Sequence, residues 1–279
     1  MKKIIFEVLR IGVKNEIVWK LLKPITLFGS FLSDARVLYL KSIERKNIGL
    51  KYFHSLEVQN GPFKGMKYPN FESAGSAIYP KLLGSYEKEI NEYCENIIDG
   101  KYSEILDVGC AEGYYAVGLA IKNSKTRIFA YDTSEIARRL CREMAVLNNV
   151  SEQIIIGKEF TTDSLAEFKF TGKGLIICDC EGYEKELFTV QNIRNISNCD
   201  LIIETHDFKD INISTYLTKL FKETHEVKSI KSVDDVQKAL TYDFPILNKQ
   251  TLEEKKYILR EGREGIMEWL ICTAKNRYL

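Results

Sequence analysis

Short apolar runs that end in polar residues recur through the second half of the chain, and stretches of helical periodicity separate them. The clearest runs are the one from Glu104 that ends in Asp107 and those at residues 127–131, 175–178 and 201–203. Weaker runs lie near residues 153–156, 227–230 and 269–273. Strands that alternate with helices in this way predict an α/β domain, residues 101–279, built on a mostly parallel Rossmann-like sheet.

The first 50 residues follow a different pattern and predict a basic amphipathic helical extension. Ten Lys or Arg stand here against four Asp or Glu, whereas the remainder of the chain has 30 against 35. Pro24 is predicted to end the helix, because proline lacks the N–H group that a helix interior needs. The apolar positions at helical spacing are Ile4, Ile5, Val8, Leu9, Ile17, Val18, Leu21 and Leu22.

A helix of this kind has two interpretations. It can lie on a membrane surface or an acidic partner, or it can pack on its own domain or on a second subunit. Residues 1–23 are therefore candidates for peripheral membrane contact or for dimerisation. Residues 24–33 carry no charge, but a run of ten residues is too short to span a bilayer.

The segment at residues 51–100 is predicted to precede the sheet. Gly61–Gly65, Gly-Pro-Phe-Lys-Gly, predicts a turn between short strands. Ser85 is the candidate N-cap of a following helix, although Lys88 stands where a complete capping box has Glu or Gln.

Composition limits the classes of partner. A net charge of +1 gives no indication of a nucleic-acid partner. Seven cysteines, an odd number without paired spacing, suggest a reducing compartment. Cys178 and Cys180 are interpreted as buried thiols, because no second pair at zinc spacing accompanies them. Glu7 and Arg10 interrupt the early apolar run, so we expect no secretory signal and a cytoplasmic protein.

Residues 107–113, Asp-Val-Gly-Cys-Ala-Glu-Gly, carry the most informative motif. Gly109 can take a positive φ or let a ligand approach the backbone, and a helix from near Gly113 would point its N–H groups into the same space. Ala111 replaces the middle glycine of a dinucleotide fingerprint, and no Gly-Lys-Ser/Thr follows, which excludes a Walker loop. Asp-x-Gly-x-x-x-Gly is the spacing of S-adenosylmethionine (SAM) sites, where Asp107 could face the amino acid end of the ligand. The alternative is a tight turn that binds nothing.

A second acid supports the nucleoside interpretation. Asp132 follows the run at 127–131 and stands about 20 residues beyond Gly113, where a carboxylate can accept hydrogen bonds from both ribose hydroxyls. The alternative role for Asp132 is the N-cap of the next helix, beside Thr133 and Ser134. The two roles are compatible.

Acidic clusters follow two further strands. They comprise Asp179, Glu181 and Glu184 after the first, and Glu204, His206 and Asp207 after the second. Because parallel strands bring their carboxyl ends to one edge of a sheet, these clusters are expected to face a single cleft. His206 is a candidate general base, since its unperturbed pKa lies near 6.5. The alternative is that it supports a neighbouring site residue or caps a helix.

These motifs together resemble the FkbM-type SAM-dependent methyltransferases. The resemblance covers roughly residues 103–274 and rests on the turn at 107–114, the Asn148-Asn149 pair, the signature Asp-Cys-Glu-Gly-Tyr-Glu at 179–184 and Ile-Ile-Glu-Thr-His at 202–206. The chain departs from the family at residues 110–112 and at Asp132, where Glu is more usual. The resemblance implies a Rossmann-like class I methyltransferase fold with an antiparallel last strand. It also implies O-methylation of a hydroxyl, often on a sugar or another natural-product scaffold.

The motifs and the resemblance give the candidate site. The cofactor-binding candidates are Asp107, Gly109, Cys110, Gly113, Tyr114, Asp132 and Asp179. The catalytic candidates are His206, Asp179 and Glu181. The resemblance further implies that the segment before the sheet closes over SAM, which makes Tyr86 and Glu87 candidates for contact with cofactor or substrate. Residues 232–265, a polar insertion before the last strand, are predicted to form a lid with a hinge at 261–265.

Other functions remain open from the sequence. A Mg²⁺ ion could be bound by oxygen and imidazole ligands from Asp179, Glu181, Glu204, His206 and Asp207, although we favour a site without metal. The alternatives to a methyltransferase are a nucleotide-sugar oxidoreductase on a Rossmann-like fold and a non-catalytic SAM-binding scaffold. The missing middle glycine disfavours the first, and the intact acidic cluster disfavours the second.

We expect Asp132→Ala to lower the affinity for SAM at least about tenfold, because a carboxylate makes strong charge-assisted hydrogen bonds to ribose hydroxyls. Isothermal titration of the purified variant measures the change. An unaltered dissociation constant would refute the ribose assignment.

Overall fold

The computed structural model describes residues 9–10, 12–100 and 102–275. The chain divides into two compact units, one up to Tyr52 and the other from Phe53 onward. The first unit contains one long helix, α1, at Glu16–Tyr52. The predicted apolar positions Ile4, Ile5 and Val8 lie outside the described residues.

The prediction that Pro24 ends the helix is wrong, because α1 continues through it for 28 residues. The φ of proline suits a helix, so the cost is one missing N–H bond and a local clash. The segment after Pro24 is long enough to form a helix by itself, and this helix continues the turns that precede Pro24.

The second unit is an α/β domain around a seven-stranded sheet. The strands are β1 (Glu104–Val108), β2 (Arg127–Tyr131), β3 (Ile154–Gly157), β4 (Leu175–Cys178), β5 (Asp200–Thr205), β6 (His225–Lys231) and β7 (Glu268–Ala274). Their order is β3-β2-β1-β4-β5-β7-β6, and β7 pairs antiparallel with both of its neighbours. This is the Rossmann-like class I methyltransferase fold that the sequence predicts.

Helices connect the strands of the second unit. They are α2 (Ile78–Leu83), α3 (Asn91–Asp99), α4 (Tyr114–Lys122), α5 (Glu135–Leu147), α6 (Thr162–Glu167), α7 (Glu184–Leu187), α8 (Ile213–Phe221), α9 (Asp235–Thr241) and α10 (Leu252–Leu259). Single 3₁₀ turns lie at Lys88–Ile90, Ser151–Gln153, Ile193–Ile196 and Pro245–Leu247. β1 and β4 are buried along their whole length, and they place Leu106 and Ile176 in the core.

Most predicted boundaries are confirmed to within two residues, and one predicted cap is wrong. Ser85 caps no helix, because its hydroxyl faces the carbonyl of Pro80 and the 3₁₀ turn begins after Glu87. The turn at 61–65 is confirmed, although its flanks form a single antiparallel bridge between Glu57 and Lys67 and no strands. The Asn148-Asn149 pair follows the last residue of α5, and Asn148 is its C-cap.

The insertion at 232–265 is folded. It contains α9 and α10, and Glu254 completes a capping box with Thr251 at the start of α10. Gly262 has a positive φ of 74°, which lets the chain turn back toward the sheet after α10.

The end of β1 meets the end of β4 through Gly109. Its φ is +87°, and a Cβ built there would lie 1.7 Å from the carbonyl oxygen of Asp179. Only glycine fits both restraints, so the contact fixes how closely the carboxyl ends of the two strands approach.

We expect Gly109→Ala to destabilise the second unit more than Gly65→Ala does. Gly65 has a similar φ of +94° but open space around its Cβ position, so its substitution costs about 1–2 kcal/mol from backbone strain alone. Gly109→Ala adds an overpacking cost of about 1–3 kcal/mol. Urea unfolding of both variants measures the difference, and equal losses would show that the contact with Asp179 is unimportant for stability.

Candidate active site

A cavity of about 400 Å³ opens at the carboxyl edge of β1, β2, β4 and β5. Its walls come from the turn after β1, the polar ends of the other strands, residues 74–76 and residues 261–264. The predicted convergence of the strand ends on one cleft is therefore confirmed in the geometry.

The turn after β1 is held against the end of β2. The N–H groups of Gly109 and Cys110 both donate to the carbonyl of Tyr131, at 2.8 and 3.0 Å. Asp132 accepts from the N–H of Ala111 at 2.9 Å and from that of Ser134 at 2.8 Å. Each carboxylate oxygen has a second lone pair, so Asp132 can position the turn and still accept from a ligand hydroxyl.

Asp107 lies on β1 at the floor of the cavity. It is buried, and its Oδ2 has no hydrogen-bond partner among the described residues. Burial, with the neighbouring charge of Asp179, raises the pKa of Asp107 to about 8. A carboxylate placed in this way is stabilised by a cation or by hydrogen-bond donors of a ligand.

Asp179 follows β4 and faces the same space. Its side chain is 37% exposed, but its Oδ1 is enclosed and has no hydrogen-bond partner among the described residues. Burial, with the charge of Glu87, raises the pKa of Asp179 to about 7, and His206 opposes the rise. Asp107, Asp132 and Asp179 thus line one cavity, as the sequence predicts.

His206 lies beyond the end of β5, and Glu184 orients it. Its Nδ1 is 2.7 Å from Oε1 of Glu184, a fully buried carboxylate at the start of α7 that also accepts from the N–H of Gly182. With Nδ1 donating to Glu184, Nε2 is the ring atom that faces Asp179 Oδ1 at 3.4 Å and Glu181 Oε2 at 3.7 Å. Glu184 therefore fixes both the direction and the tautomer of the imidazole.

The pKa values of this pair move in opposite directions. Burial lowers the pKa of His206, but the bond to Glu184 and the nearby carboxylates outweigh it and raise the pKa above 6.5. Burial raises the pKa of Glu184, but the bond from His206 outweighs it and lowers the pKa below 4.5. An ionised Glu184 beside a protonated His206 is therefore the favoured pair near pH 6.

Arg263 forms ion pairs with the buried carboxylates on the other side of the cavity. Its guanidinium contacts Glu204, lies 2.9 Å from Glu87 Oε1 and 2.8 Å from Glu261 Oε2, and stacks 4.8 Å from the ring of Trp269. Burial raises the pKa of Glu204, and Arg263 opposes that rise. Glu204 is consequently unavailable as a free base.

A buried ion pair forms the wall next to the turn. Lys81 Nζ lies 2.5 Å from Glu112 Oε1, and both side chains are at most 2% exposed. Glu112 also accepts from the Ser73 hydroxyl and the Ala74 N–H. The pair therefore ties the segment at 73–76, which lines the cavity, to the turn after β1.

The structure brings most candidate residues together. The residues lining the cavity include Asp107, Gly109, Cys110, Tyr114, Asp132, Asp179, Glu181, His206 and Tyr86. Gly113 does not line it. Its φ is positive and a Cβ there would lie 2.8 Å from Cys141 Sγ, so this glycine serves the packing of the turn. Glu87 contributes through Arg263. Asp207 turns away to accept from the N–H of Ser214.

Asp179, Glu181 and His206 have the geometry of a metal site. One ligand atom from each lies within 4.8 Å of the others. The other two groups considered for Mg²⁺ do not join them, because Glu204 pairs with Arg263 and Asp207 bonds to α8. Two carboxylates and one imidazole can bind a metal ion. A bound metal is therefore the alternative to a protonated His206 that contacts the two carboxylates.

The sequence did not predict two sets of contacts at the cavity. Arg263 lies in the segment interpreted as a hinge, and its position between glycines in an acidic stretch was the available signal. Lys81 and Glu112 gave no signal, because residues 31 positions apart become a pair only through the fold.

Comparisons with known proteins find partial similarities. No family model matches the chain. Over 92 residues it is 29% identical to ribosomal RNA large subunit methyltransferase G of Photobacterium profundum, a match that covers 33% of this chain and 24% of that protein.

Solved structures with similar folds include two methyltransferases. Precorrin-6y C5,15-methyltransferase from Geobacter metallireducens is 10% identical over 66% of this chain and 89% of that chain, with a TM-score of 0.43. A SAM-dependent O-methyltransferase from Thermotoga maritima is 13% identical over 67% and 66%, with a TM-score of 0.41. These values are too low to carry an inference about activity. The fold assignment rests on the strand order, and the FkbM-type resemblance stays a prediction.

The shifted pKa values set the pH range in which the His206–Glu184 contact stabilises the fold. Glu184 contributes fully above its ordinary pKa of 4.5, and this contribution is lost as the pH falls through its lowered pKa. His206 contributes fully below its ordinary pKa of 6.5, and this contribution is lost as the pH rises through its raised pKa. The contact is therefore most stabilising between about pH 4.5 and 6.5.

We expect the ring of His206 to titrate above pH 6.5 and to shift downward in Glu184→Gln, which removes the charged partner of Nδ1. His225 is an internal reference, because burial lowers its pKa below 6.5. Nitrogen-detected NMR titration of the three histidines measures both values. A His206 pKa that stays unchanged in Glu184→Gln would contradict the orienting role of Glu184.

Proposed function

We propose that this chain is a SAM-dependent methyltransferase that transfers a methyl group to a hydroxyl of a carbohydrate or similar polyol. The observation that carries the proposal is the pair of enclosed carboxylate oxygens, Asp107 Oδ2 and Asp179 Oδ1, which lack hydrogen-bond partners among the described residues and face one cavity. Two raised carboxyl pKa values in one cavity favour a ligand with positive charge. The sulfonium and ammonium groups of SAM meet that requirement.

The residues present fit this cofactor. Asp132 has free lone pairs for ribose hydroxyls, and Asp107 and Asp179 suit a cationic amino acid end. Tyr86 and Tyr114 are buried and line the cavity beside the turn.

The chemistry needs a positioned hydroxyl and an acceptor for its proton. Bound SAM supplies an electrophilic methyl group on a sulfonium. His206 Nε2 receives the hydroxyl proton, while Glu184 holds Nδ1 and stabilises the imidazolium that forms. Asp179 and Glu181 lie within 4 Å of Nε2 and orient the acceptor beside it. Positioning by such groups lowers the barrier because the reacting atoms are already aligned.

The outer side of the cavity suits a polyhydroxylated acceptor. Asp179 and Glu181 are partly exposed carboxylates that can each accept several hydroxyl hydrogen bonds. Phe208, half exposed and next to His206, offers an aromatic face to the apolar side of a sugar ring. Residues 261–264 of the insertion complete this side, so we assign the insertion the role of shaping the acceptor pocket.

An RNA acceptor, which the name of the Photobacterium relative suggests, is disfavoured by charge. From residue 51 onward the chain has 30 basic against 35 acidic residues, whereas phosphate binding requires an excess of basic side chains. A nicotinamide oxidoreductase is disfavoured because Ala111 stands at the middle position of the dinucleotide turn. A scaffold without catalysis has no use for the oriented His206.

We expect methyl-labelled SAM, incubated with the protein and a panel of free and nucleotide-linked sugars, to transfer label to at least one acceptor. His206→Asn should lower turnover by about 10²–10⁴ because the proton acceptor is lost, with the dissociation constant of SAM nearly unchanged. His54→Asn, at an exposed histidine outside the cavity, is the matched control and should keep full activity.

The pH profile and chelation separate a base from a metal ligand. Because a base must be neutral, turnover should rise with pH through an apparent pKa above 6.5. It should also survive exhaustive chelation. Loss of activity in chelator with recovery on adding Mg²⁺ would assign Asp179, Glu181 and His206 to a metal and overturn the role of His206 as base. Loss of SAM binding in His206→Asn would also contradict it.

A further inference from the structure

α1 exposes more apolar surface than any other element among the described residues. Its large exposed side chains include Ile17, Leu21, Ile25, Leu27, Phe28, Phe31, Leu32 and Leu38, each at least half exposed. Isolated exposed apolar residues are common, but a continuous set along one helix marks an interaction surface.

The apolar surface of α1 is broad. At about 100° per residue, Leu21, Ile25, Leu27, Phe28 and Phe31 spread over roughly 160° of the helix circumference. The seam of a two-stranded coiled coil is narrower, so a second copy of α1 would leave part of this surface in water. A planar apolar medium covers a surface of this width completely.

Basic residues flank the apolar stretch on both sides. Residues 24–33 have no charge, Lys20 and Lys23 precede them, and Arg36, Lys41 and three further Lys or Arg follow within the helix. α1 carries seven basic against three acidic residues, a net charge of +4. Positive charge beside an apolar helix face is complementary to anionic lipid headgroups.

A membrane-spanning arrangement does not account for α1. Among the described residues, no helix is long and apolar enough to cross a bilayer. The uncharged stretch of ten residues is about 15 Å long as a helix, half the thickness of a hydrocarbon core.

We propose that α1 binds the surface of an anionic lipid bilayer, with Phe28 and Phe31 inserted between the lipids and the flanking basic residues on the headgroups. The inference is independent of the proposed methyl transfer, since none of these residues lines the cavity. The proposal concerns where the protein binds, whereas the proposed methyl transfer concerns the cavity of the second unit.

The test is flotation of the full chain with vesicles. We expect recovery with phosphatidylcholine vesicles that contain phosphatidylglycerol at roughly a third of the lipid, and little recovery with phosphatidylcholine alone, because each basic residue near the surface is worth about fivefold in binding. High salt should weaken the binding by screening. Equal recovery on both kinds of vesicle would overturn the electrostatic part of the proposal.

Paired variants locate the contact. Phe28→Gln with Phe31→Gln should reduce binding to the anionic vesicles at least about tenfold, because two large apolar side chains no longer enter the lipid. Val190→Gln with Ile211→Gln, at comparably exposed apolar positions of the second unit, is the matched control and should bind as the unaltered chain does. Circular dichroism and urea unfolding check that both double variants are folded.

Two outcomes would overturn the proposal. The first is recovery of the Phe28→Gln/Phe31→Gln variant equal to that of the unaltered chain. The second is background recovery of the unaltered chain, with sedimentation velocity showing a dimer that the same variant converts to a monomer. This second result would make another copy of the chain the occupant of the α1 surface.

Discussion

The contact of Gly109 with the carbonyl of Asp179 is the constraint on which the cavity depends. It requires a residue without Cβ at a positive φ, and it sets the distance between the ends of β1 and β4. Asp107 and Asp179 belong to those two strand ends, so the same contact brings the charge of Asp179 close enough to raise the pKa of Asp107. Backbone packing therefore creates the electrostatic character of the site.

The fold balances its buried acids in three different ways. Arg263 forms ion pairs with Glu87 and Glu204, and Lys81 forms an ion pair with Glu112. His206 joins Glu184 through a ring that can take up or release a proton. Asp107 and Asp179 are left to proton uptake or to a ligand. Removing one partner of a buried ion pair is costly, because the remaining charge stays out of water. The carboxyl groups of Asp107 and Asp179 are therefore the positions where the fold is less stable and better suited to bind a ligand.

The sequence was sufficient for the sheet because each strand carries its own signal. β2 and β4 were predicted to the residue, since apolar runs bounded by polar residues need no long-range information. The common cleft followed from the rule that parallel strands end at one edge. The prediction at Pro24 was wrong because the helical residues on both sides override the local preference of proline. The prediction at Ser85 was wrong because its hydroxyl faces the carbonyl of Pro80. The contacts of Arg263 depend on tertiary placement, which no local pattern contains.

The chain of contacts from α9 to the cavity has a mechanical consequence. Lys238 on α9 holds Glu261, and Glu261 holds Arg263 at Nε while Glu87 and Glu204 bind the other nitrogens. A displacement of the insertion would therefore move the guanidinium of Arg263 away and leave Glu87 and Glu204 without this cationic partner. Access to the cavity and its electrical potential are therefore linked in a single movement, and substitutions on α9 would change ligand affinity without touching any ligand.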